Sequence, residues 1–161
     1  MANNRHVGIA EMIISSSADD VLIAPNLGSC LGVAVFDPET KIGGLIHCLL
    51  PLSKSDPEKA QKQPYMYVDT GVTTMLTLLL QKGAQKERLQ IIAAGAAQIN
   101  DANGVFNIGS KNHTVFRKVM WKNSLLINKE HVGGNLSRTF SLHIASGQVW
   151  VKTGGENIQL K

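Results

Sequence analysis

The chain has few of the residues that mark membrane-spanning and secreted proteins. Only two of its 161 residues are cysteines, and no apolar run approaches the roughly 20 residues that a membrane helix needs. The segment before Val7 contains no apolar core of the kind found in a signal peptide. We therefore expect a protein of the cytoplasm, without membrane insertion, whose two cysteines are reduced thiols.

Aromatic residues and clustered charges are also scarce. Aromatic residues make up 5% of the chain and charged residues 17%, against 43% hydrophobic residues. These proportions are typical of a globular protein, and the length suits one domain over residues 1–161. The net charge is +4, but the lysines are scattered and no basic stripe with stacking rings is present. Nucleic-acid binding is thus disfavoured, whereas a mild positive field suits an acidic protein partner.

The usual signatures of metal and cofactor sites are missing as well. Five histidines and two cysteines show neither the C-x-x-C nor the H-x-x-x-H spacing of a metal site. The glycine pairs Gly133-Gly134 and Gly154-Gly155 stand alone and are typical of turns rather than of a phosphate-binding loop. We expect neither a metal nor a cofactor.

The hydrophobic pattern predicts a strand-rich α/β domain with at least two helices packed outside the strands. One helix is capped by Asp69 or Thr70 and ends at Gly83, and a second begins with Ser110 as its cap. Turns are expected at 94–96, at Asn103-Gly104 and at Ser146-Gly147. Strands are predicted near 7–14, 20–24, 30–36, 42–50, 89–94, 125–128, 138–145 and 148–153.

A polar segment, residues 52–63, follows the fourth predicted strand. It holds five charged residues and almost no apolar ones, so a solvated connector is the simplest interpretation. The alternative is a mobile lid, because the segment leaves the end of the strand that carries His47 and could fold back over it.

Cys30 and His47 lie on the two strands of one predicted hairpin. A turn at Asp37-Pro38-Glu39-Thr40 joins these strands, and centring it between Pro38 and Glu39 places Cys30 directly opposite His47. A neighbouring imidazole can take the proton of a thiol and return it to a leaving group. The hairpin therefore predicts a nucleophile and its general base.

The alternative is that Cys30 is a small buried side chain and His47 a core histidine. Gly28 and Gly32 bracket the cysteine and would let a substrate approach the backbone, where the amides of Ser29 and Cys30 could face an oxyanion. Ser29 itself would point away from His47. Cys48 follows His47 and points to the other face of the strand, so it is expected to be structural.

Several motifs, in this order along the chain, resemble the CheD family of chemoreceptor glutamine deamidases. The most specific are the G-S-C of residues 28–30 and the G-G-x-x-H-x-x-L-P of residues 43–51. The others are Tyr67-Val68-Asp69-Thr70, Phe106-Asn107-Ile108-Gly109-Ser110-Lys111-Asn112, and Gly133-Gly134-Asn135 with Arg138.

The resemblance implies a three-layer α/β/β sandwich, similar to bacterial toxin deamidases, and hydrolytic deamidation of glutamine side chains on methyl-accepting chemotaxis receptors. It assigns the nucleophile to Cys30 and the general base to His47, with a thioester intermediate and no cofactor. The CheC phosphatase is implied as a possible second partner, and we expect a docking surface at the helix that Ser110 opens. The motif that begins there at Phe106 is either an exposed apolar loop of this surface or the packing of a turn.

The chain departs from the family pattern at one position. The family has an orienting threonine six residues before the cysteine, where this chain has Ala24. Asn26 could orient the imidazole instead. Two alternatives therefore stay open: a catalytically weakened adaptor that binds receptors or CheC, and a receptor methylesterase, since a thioester route serves both leaving groups.

Overall fold

The computed structural model describes residues 2–99 and 106–161. In this part of the chain, helices α1 (Pro57–Lys62), α2 (Val68–Gln81) and α3 (Ile108–Lys122) accompany two five-stranded sheets. The strands are β1 (Asn3–His6), β2 (Glu11–Ser15), β3 (Asp20–Leu27), β4 (Leu31–Asp37), β5 (Ile42–Cys48), β6 (Gln90–Gly95), β7 (Lys129–Val132), β8 (Arg138–His143), β9 (Val149–Thr153) and β10 (Glu156–Gln159). None of the helices described is long and apolar enough to cross a membrane.

The two sheets and the helices form three layers. The central sheet has the strand order β2-β5-β4-β6-β7, and the outer sheet has the order β1-β3-β8-β9-β10. One hydrophobic core lies between the central sheet and helices α2 and α3, and the other lies between the two sheets. Every residue of β4 and β5 is buried, because both faces of these strands are covered. The predicted three-layer α/β/β architecture is confirmed.

The first predicted strand, 7–14, is confirmed only from Glu11 onwards, where β2 begins, and β1 lies before it at Asn3–His6 and was not predicted. Strand β1 pairs with β3 in the outer sheet, and β2 pairs with β5 in the central sheet. Between them the chain turns at residues 7–10, where Ala10 adopts a left-handed conformation with φ of 64°. The alternation of apolar residues over 7–14 gave no sign of this crossing. In it the chain passes from the outer sheet to the central sheet, with Val7 as its first residue.

The polar segment 52–63 is mostly exposed, as expected of a solvated connector, and half of it is helical. Helix α1 occupies its second half, with the Asp56 carboxylate accepting a hydrogen bond from the N–H of Lys59. Whether the segment closes over the site, as a lid would, stays a prediction.

The two long helices begin earlier than predicted. Tyr67 is the N-cap of α2, and the Asp69 carboxylate instead accepts hydrogen bonds from the N–H and hydroxyl of Ser53. Helix α3 starts at Ile108, two residues before the predicted cap at Ser110, from an Asn107 in the left-handed conformation. The end at Gly83 is confirmed, because α2 stops at Gln81 and Gly83 has a φ of 112°.

The strand predicted at 125–128 is wrong. Leu125 and Ile127 of this segment pack against the core between the central sheet and the helices, and the segment forms no strand. The Asn128 side-chain oxygen accepts the N–H of Ile91, and parallel pairing with β6 starts only at Lys129. Strands β8 and β9 and the Ser146-Gly147 turn are confirmed, whereas β10 was not predicted. The predicted turn at Asn103-Gly104 lies outside the described residues.

The hairpin of β4 and β5 exists, but its register differs from the prediction. Its last pair is Asp37 with Ile42, so the loop is residues 38–41 rather than a two-residue turn. The Asp37 carboxylate accepts the N–H groups of Glu39 and Thr40, and Lys41 adds a left-handed residue with φ of 60°. His47 therefore lies opposite Gly32, not Cys30.

Candidate active site

Cys30 and His47 face the same side of the central sheet. The register shift is two residues, which preserves the face of every side chain because faces alternate with a period of two. Cys30 lies one residue before β4 and belongs to the core between the sheets. Gly32, which pairs with His47, faces the same core: a Cβ there would lie 2.8 Å from Leu27 Cδ1. The two candidate catalytic side chains are diagonal neighbours across the hairpin rather than directly opposed.

The Cys30 thiol is buried in this core, with 6% of the residue exposed. Burial raises the pKa of the thiol to about 11, against a smaller lowering effect from the main-chain N–H of Cys30 itself. At neutral pH the free protein therefore carries a protonated thiol at this position, and a base must remove its proton before the sulfur becomes a thiolate.

His47 is buried, and within the described residues its imidazole ring makes one hydrogen bond. Its Nδ1 lies 3.1 Å from the carbonyl oxygen of Val7, in the crossing between β1 and β2. A carbonyl can only accept, so this contact places the proton on Nδ1 and leaves a lone pair on Nε2. Nε2 is buried and has no hydrogen-bond partner among the described residues. Burial also lowers the pKa of His47, which keeps the imidazole neutral and able to accept a proton.

Cys48 occupies the opposite face, as predicted. It is fully buried in the core between the central sheet and the helices. Burial strongly raises the pKa of its thiol. Both its location and its protonation fit a structural side chain.

Of the two glycines around Cys30, Gly32 has a different role from the one expected. Gly32 is required by packing of the outer sheet, because a Cβ would also lie 2.9 Å from Phe140 Cδ2. It does not open the backbone to a substrate. A Cβ on Gly28 would lie 3.3 Å from Ile99 Cδ1, at the side of the loop that borders a cavity.

That cavity has a volume of about 360 Å³ and reaches Ser29, the residue before Cys30, although neither Cys30 nor His47 lines it. Ser29 lines it, together with the start of α3 and the Gly133-Gly134 turn. Phe106, in the motif where a docking surface is expected, also lines it and is 67% exposed. The cavity therefore gives a path from the surface to the loop that carries the candidate nucleophile.

Neither Asn26 nor Ala24 forms a hydrogen bond with the His47 ring in the part of the chain that the structure describes. Asn26 is exposed in a left-handed conformation, and its main-chain N–H lies 3.5 Å from Thr139 Oγ1. Ala24 is fully buried in the core between the sheets and has no polar side chain. Val7 supplies the orienting contact instead. The sequence concealed this role because any residue type provides a main-chain carbonyl.

This arrangement predicts the effect of restoring the family threonine. We expect Ala24→Thr not to raise turnover, because Nδ1 of His47 already has its acceptor in Val7. The added hydroxyl and methyl would enter a filled apolar core and lower the free energy of unfolding by about 1–3 kcal/mol. Steady-state kinetics and urea denaturation check this. A several-fold higher kcat would contradict it.

Asn112 is a buried polar residue, named in the Phe106 motif above, to which the sequence interpretation gave no role. From α3 its Nδ2 donates to the carbonyl of Ser29 at 2.9 Å and to that of Leu49 at 3.1 Å. Ser29 precedes Cys30, and Leu49 follows His47 by two residues. One side chain thus ties together the two segments that carry the candidate pair. The available signal was a polar residue on the apolar stripe that continues through Val115 and Phe116.

We expect Asn112→Ala to reduce kcat about tenfold per folded molecule, because a small displacement of catalytic groups is costly. Two main-chain carbonyls would also lose their donor, at about 1–3 kcal/mol of stability each. Asn123→Ala is the matched control, since its Nδ2 donates to the Val119 carbonyl at the end of the same helix and, among the described residues, to no other. Kinetics corrected for the folded fraction check this. An unchanged corrected kcat would limit Asn112 to stability.

In the described parts of the chain, no group of three or more His, Cys, Asp or Glu side chains is placed to hold a metal ion. Arg138, from the last motif, binds the carbonyls of Gly95 and Gly133 and so fixes the turn beside the cavity. His131 accepts its Nε–H at 2.8 Å. These contacts are structural.

Known proteins resemble this chain along most of its length. A family model described as CheD chemotactic sensory transduction matches residues 49–153. A probable chemoreceptor glutamine deamidase CheD of Solibacter usitatus is 39% identical over 96% of this chain and 91% of its own length. A probable chemoreceptor glutamine deamidase CheD 1 of Syntrophus aciditrophicus is 42% identical, covering 92% and 93% of the two chains.

The resemblance extends to an archaeal protein. A probable chemoreceptor glutamine deamidase CheD of Methanococcus maripaludis is 36% identical over 81% of this chain and 83% of its own. The family model begins after His47, whereas 154 residues of this chain align with the Solibacter protein. With this coverage by model and relatives, the chain belongs to the CheD family.

Proposed function

We propose that this protein hydrolyses the side-chain amide of glutamine residues on methyl-accepting chemotaxis receptors, with Cys30 as nucleophile and His47 as general base. The relatives' names supply the reaction and the substrate class. The observation that carries the mechanism is the buried, unpartnered Nε2 of His47 on the same sheet face as the Cys30 thiol.

The first half of the reaction forms a thioester. The Cys30 sulfur attacks the carboxamide carbon while the thiol proton passes to Nε2 of His47. The tetrahedral intermediate then collapses: the carbon–nitrogen bond breaks, and the imidazolium returns its proton to the departing nitrogen, which leaves as ammonia.

The second half consumes water. A water molecule gives a proton to Nε2 of His47 and attacks the thioester carbon, and the carbon–sulfur bond breaks. The sulfur recovers its proton from the imidazolium. The net change is glutamine and water to glutamate and ammonia, with the enzyme restored and no external oxidant or cofactor consumed.

The protonation states of the free protein favour proton transfer together with attack. Burial raises the pKa of Cys30 and lowers that of His47, so a resting thiolate and imidazolium pair is disfavoured in this pocket. The neutral pair needs only the movement of one proton towards a lone pair that is already oriented by Val7.

The N–H groups of Ser29 and Cys30 are the proposed oxyanion donors. Across the described residues, neither donates to another main-chain carbonyl. The main-chain N–H of Cys30 lowers the pKa of its own thiol, against the stronger effect of burial. Both groups belong to the loop that Asn112 fixes at Ser29.

A cytoplasmic location and an interaction with CheC are parts of the same proposal. Both rest on the family resemblance. The Phe106 side of the cavity is the proposed docking surface, because it is exposed and adjoins the Cys30 loop.

The experiment that tests the function incubates the purified chain with purified receptors in two forms, one unmodified and one methylated. Ammonia release with the unmodified form, with no methanol from the methylated form, supports deamidation. Methanol release without ammonia would show that the protein is a methylesterase and not a deamidase. Receptor binding with neither product would show that it is an adaptor without either activity.

A further inference from the structure

The peptide group between Val7 and Gly8 is hydrogen-bonded at both ends to functional side chains. Its carbonyl oxygen accepts from Nδ1 of His47 at 3.1 Å. Its N–H donates to Oε1 of Glu11 at 2.6 Å. A single planar peptide thus connects a carboxylate to the proposed general base.

Local structure holds Glu11 in this position. Glu11 begins β2 directly opposite His47, and its own N–H donates to the Gly8 carbonyl at 3.0 Å. The N–H of Ala10 donates to the His47 carbonyl at 2.8 Å, which fixes the crossing against β5. A Cβ at Gly8 would lie 2.8 Å from Oε1 of Glu11, so a larger residue there would push the carboxylate aside.

We propose that Glu11 is a positioning residue for His47 and acts on the imidazole through the Val7–Gly8 peptide. A carboxylate polarises the N–H to which it is bonded and makes the carbonyl at the other end of the peptide a better acceptor. The imidazole is then held in the tautomer that has its lone pair on Nε2. Glu11 would provide, through the backbone, the orienting function that Ala24 cannot provide.

Glu11 is the charged side chain that affects the protonation of His47 in the described structure. It raises the pKa of His47 against the stronger lowering by burial. Cys30 is the titratable group on the same face, and Cys48 lies on the other. The outer sheet contributes apolar side chains to this core: Leu22, Ala24, Leu27, Phe140 and Leu142.

The test is Glu11→Gln, which removes the charge but keeps an oxygen that can accept the Gly8 N–H. Loss of the carboxylate destabilises the imidazolium, so the pKa of His47 should fall. The acid limb of kcat/KM should move to lower pH by the same amount, with kcat about threefold lower and KM unchanged. Gly8→Ala, which displaces the carboxylate, should give the same shift.

Glu156→Gln is the matched control, because it makes the same charge change at an exposed position of the edge strand β10. It should leave both the pKa and kcat unchanged. NMR titration of the His47 ring measures the pKa without any substrate. This inference rests on the proposed function, but the two can be tested separately because the titration needs no substrate. Absence of ammonia from the unaltered protein would overturn the proposed function alone. Equal His47 pKa values in the Glu11→Gln and Glu156→Gln proteins overturn the role of Glu11.

Discussion

Cys30→Ala is expected to abolish ammonia release while leaving the protein folded. The substitution removes the only atom that can form the thioester, so turnover should fall by at least about a thousandfold. The loss of one sulfur from a small-residue loop costs stability by only about 1 kcal/mol, since the cavity left behind is small. Ammonia release and urea denaturation of the same preparation measure the two effects.

Cys48→Ala is the control for this substitution. It removes the same atom from the opposite face of the hairpin, where Cys48 is fully buried against the helices. We expect a similar small loss of stability and normal turnover. Ammonia release that survives Cys30→Ala and disappears in Cys48→Ala would show that the two thiols have been assigned to the wrong roles.

His47→Ala is expected to reduce turnover about as much as loss of the thiol. The Cys30 thiol has its pKa raised to about 11, so without a base almost none of it is ionised at neutral pH. The double substitution of Cys30 and His47 should be scarcely worse than either single one, because the two groups act as a unit. Initial rates for the three proteins at one pH measure this.

His143→Ala serves as the matched control for His47→Ala. His143 lies at the end of β8, in the outer sheet, and is only partly buried. It should retain full activity. If the losses from Cys30→Ala and His47→Ala are independent and add in free energy, the two residues do not share one proton-transfer step.

The face on which the candidate pair meets could be predicted from the sequence, whereas their register could not. Alternation along β4 and β5 is a local property and survives a shift of two residues. The register depends on the loop. There the Asp37 carboxylate also binds the N–H of Gln85 and the guanidinium of Arg88, which are distant in sequence.

The groups that orient His47 could not be predicted from the sequence, because they too depend on contacts between segments that are distant in sequence. Val7 contributes a main-chain carbonyl, which no residue type encodes, and it reaches His47 only because the chain crosses between the sheets after β1. Asn112 was detectable in principle, since a polar residue on a buried helix face needs partners. Its partners, Ser29 and Leu49, follow from the packing of α3 on the central sheet.

The covalent role of Cys30 is tested most directly by trapping the thioester. Hydroxylamine added to the reaction with purified receptor competes with water for the acyl group and converts the attacked glutamine into a hydroxamate. We predict a hydroxamate at the same receptor positions that otherwise become glutamate, with the unaltered protein and with Cys48→Ala, and none with Cys30→Ala. Glutamate formation without any hydroxamate, or hydroxamate formed equally by Cys30→Ala, would contradict a thioester on Cys30.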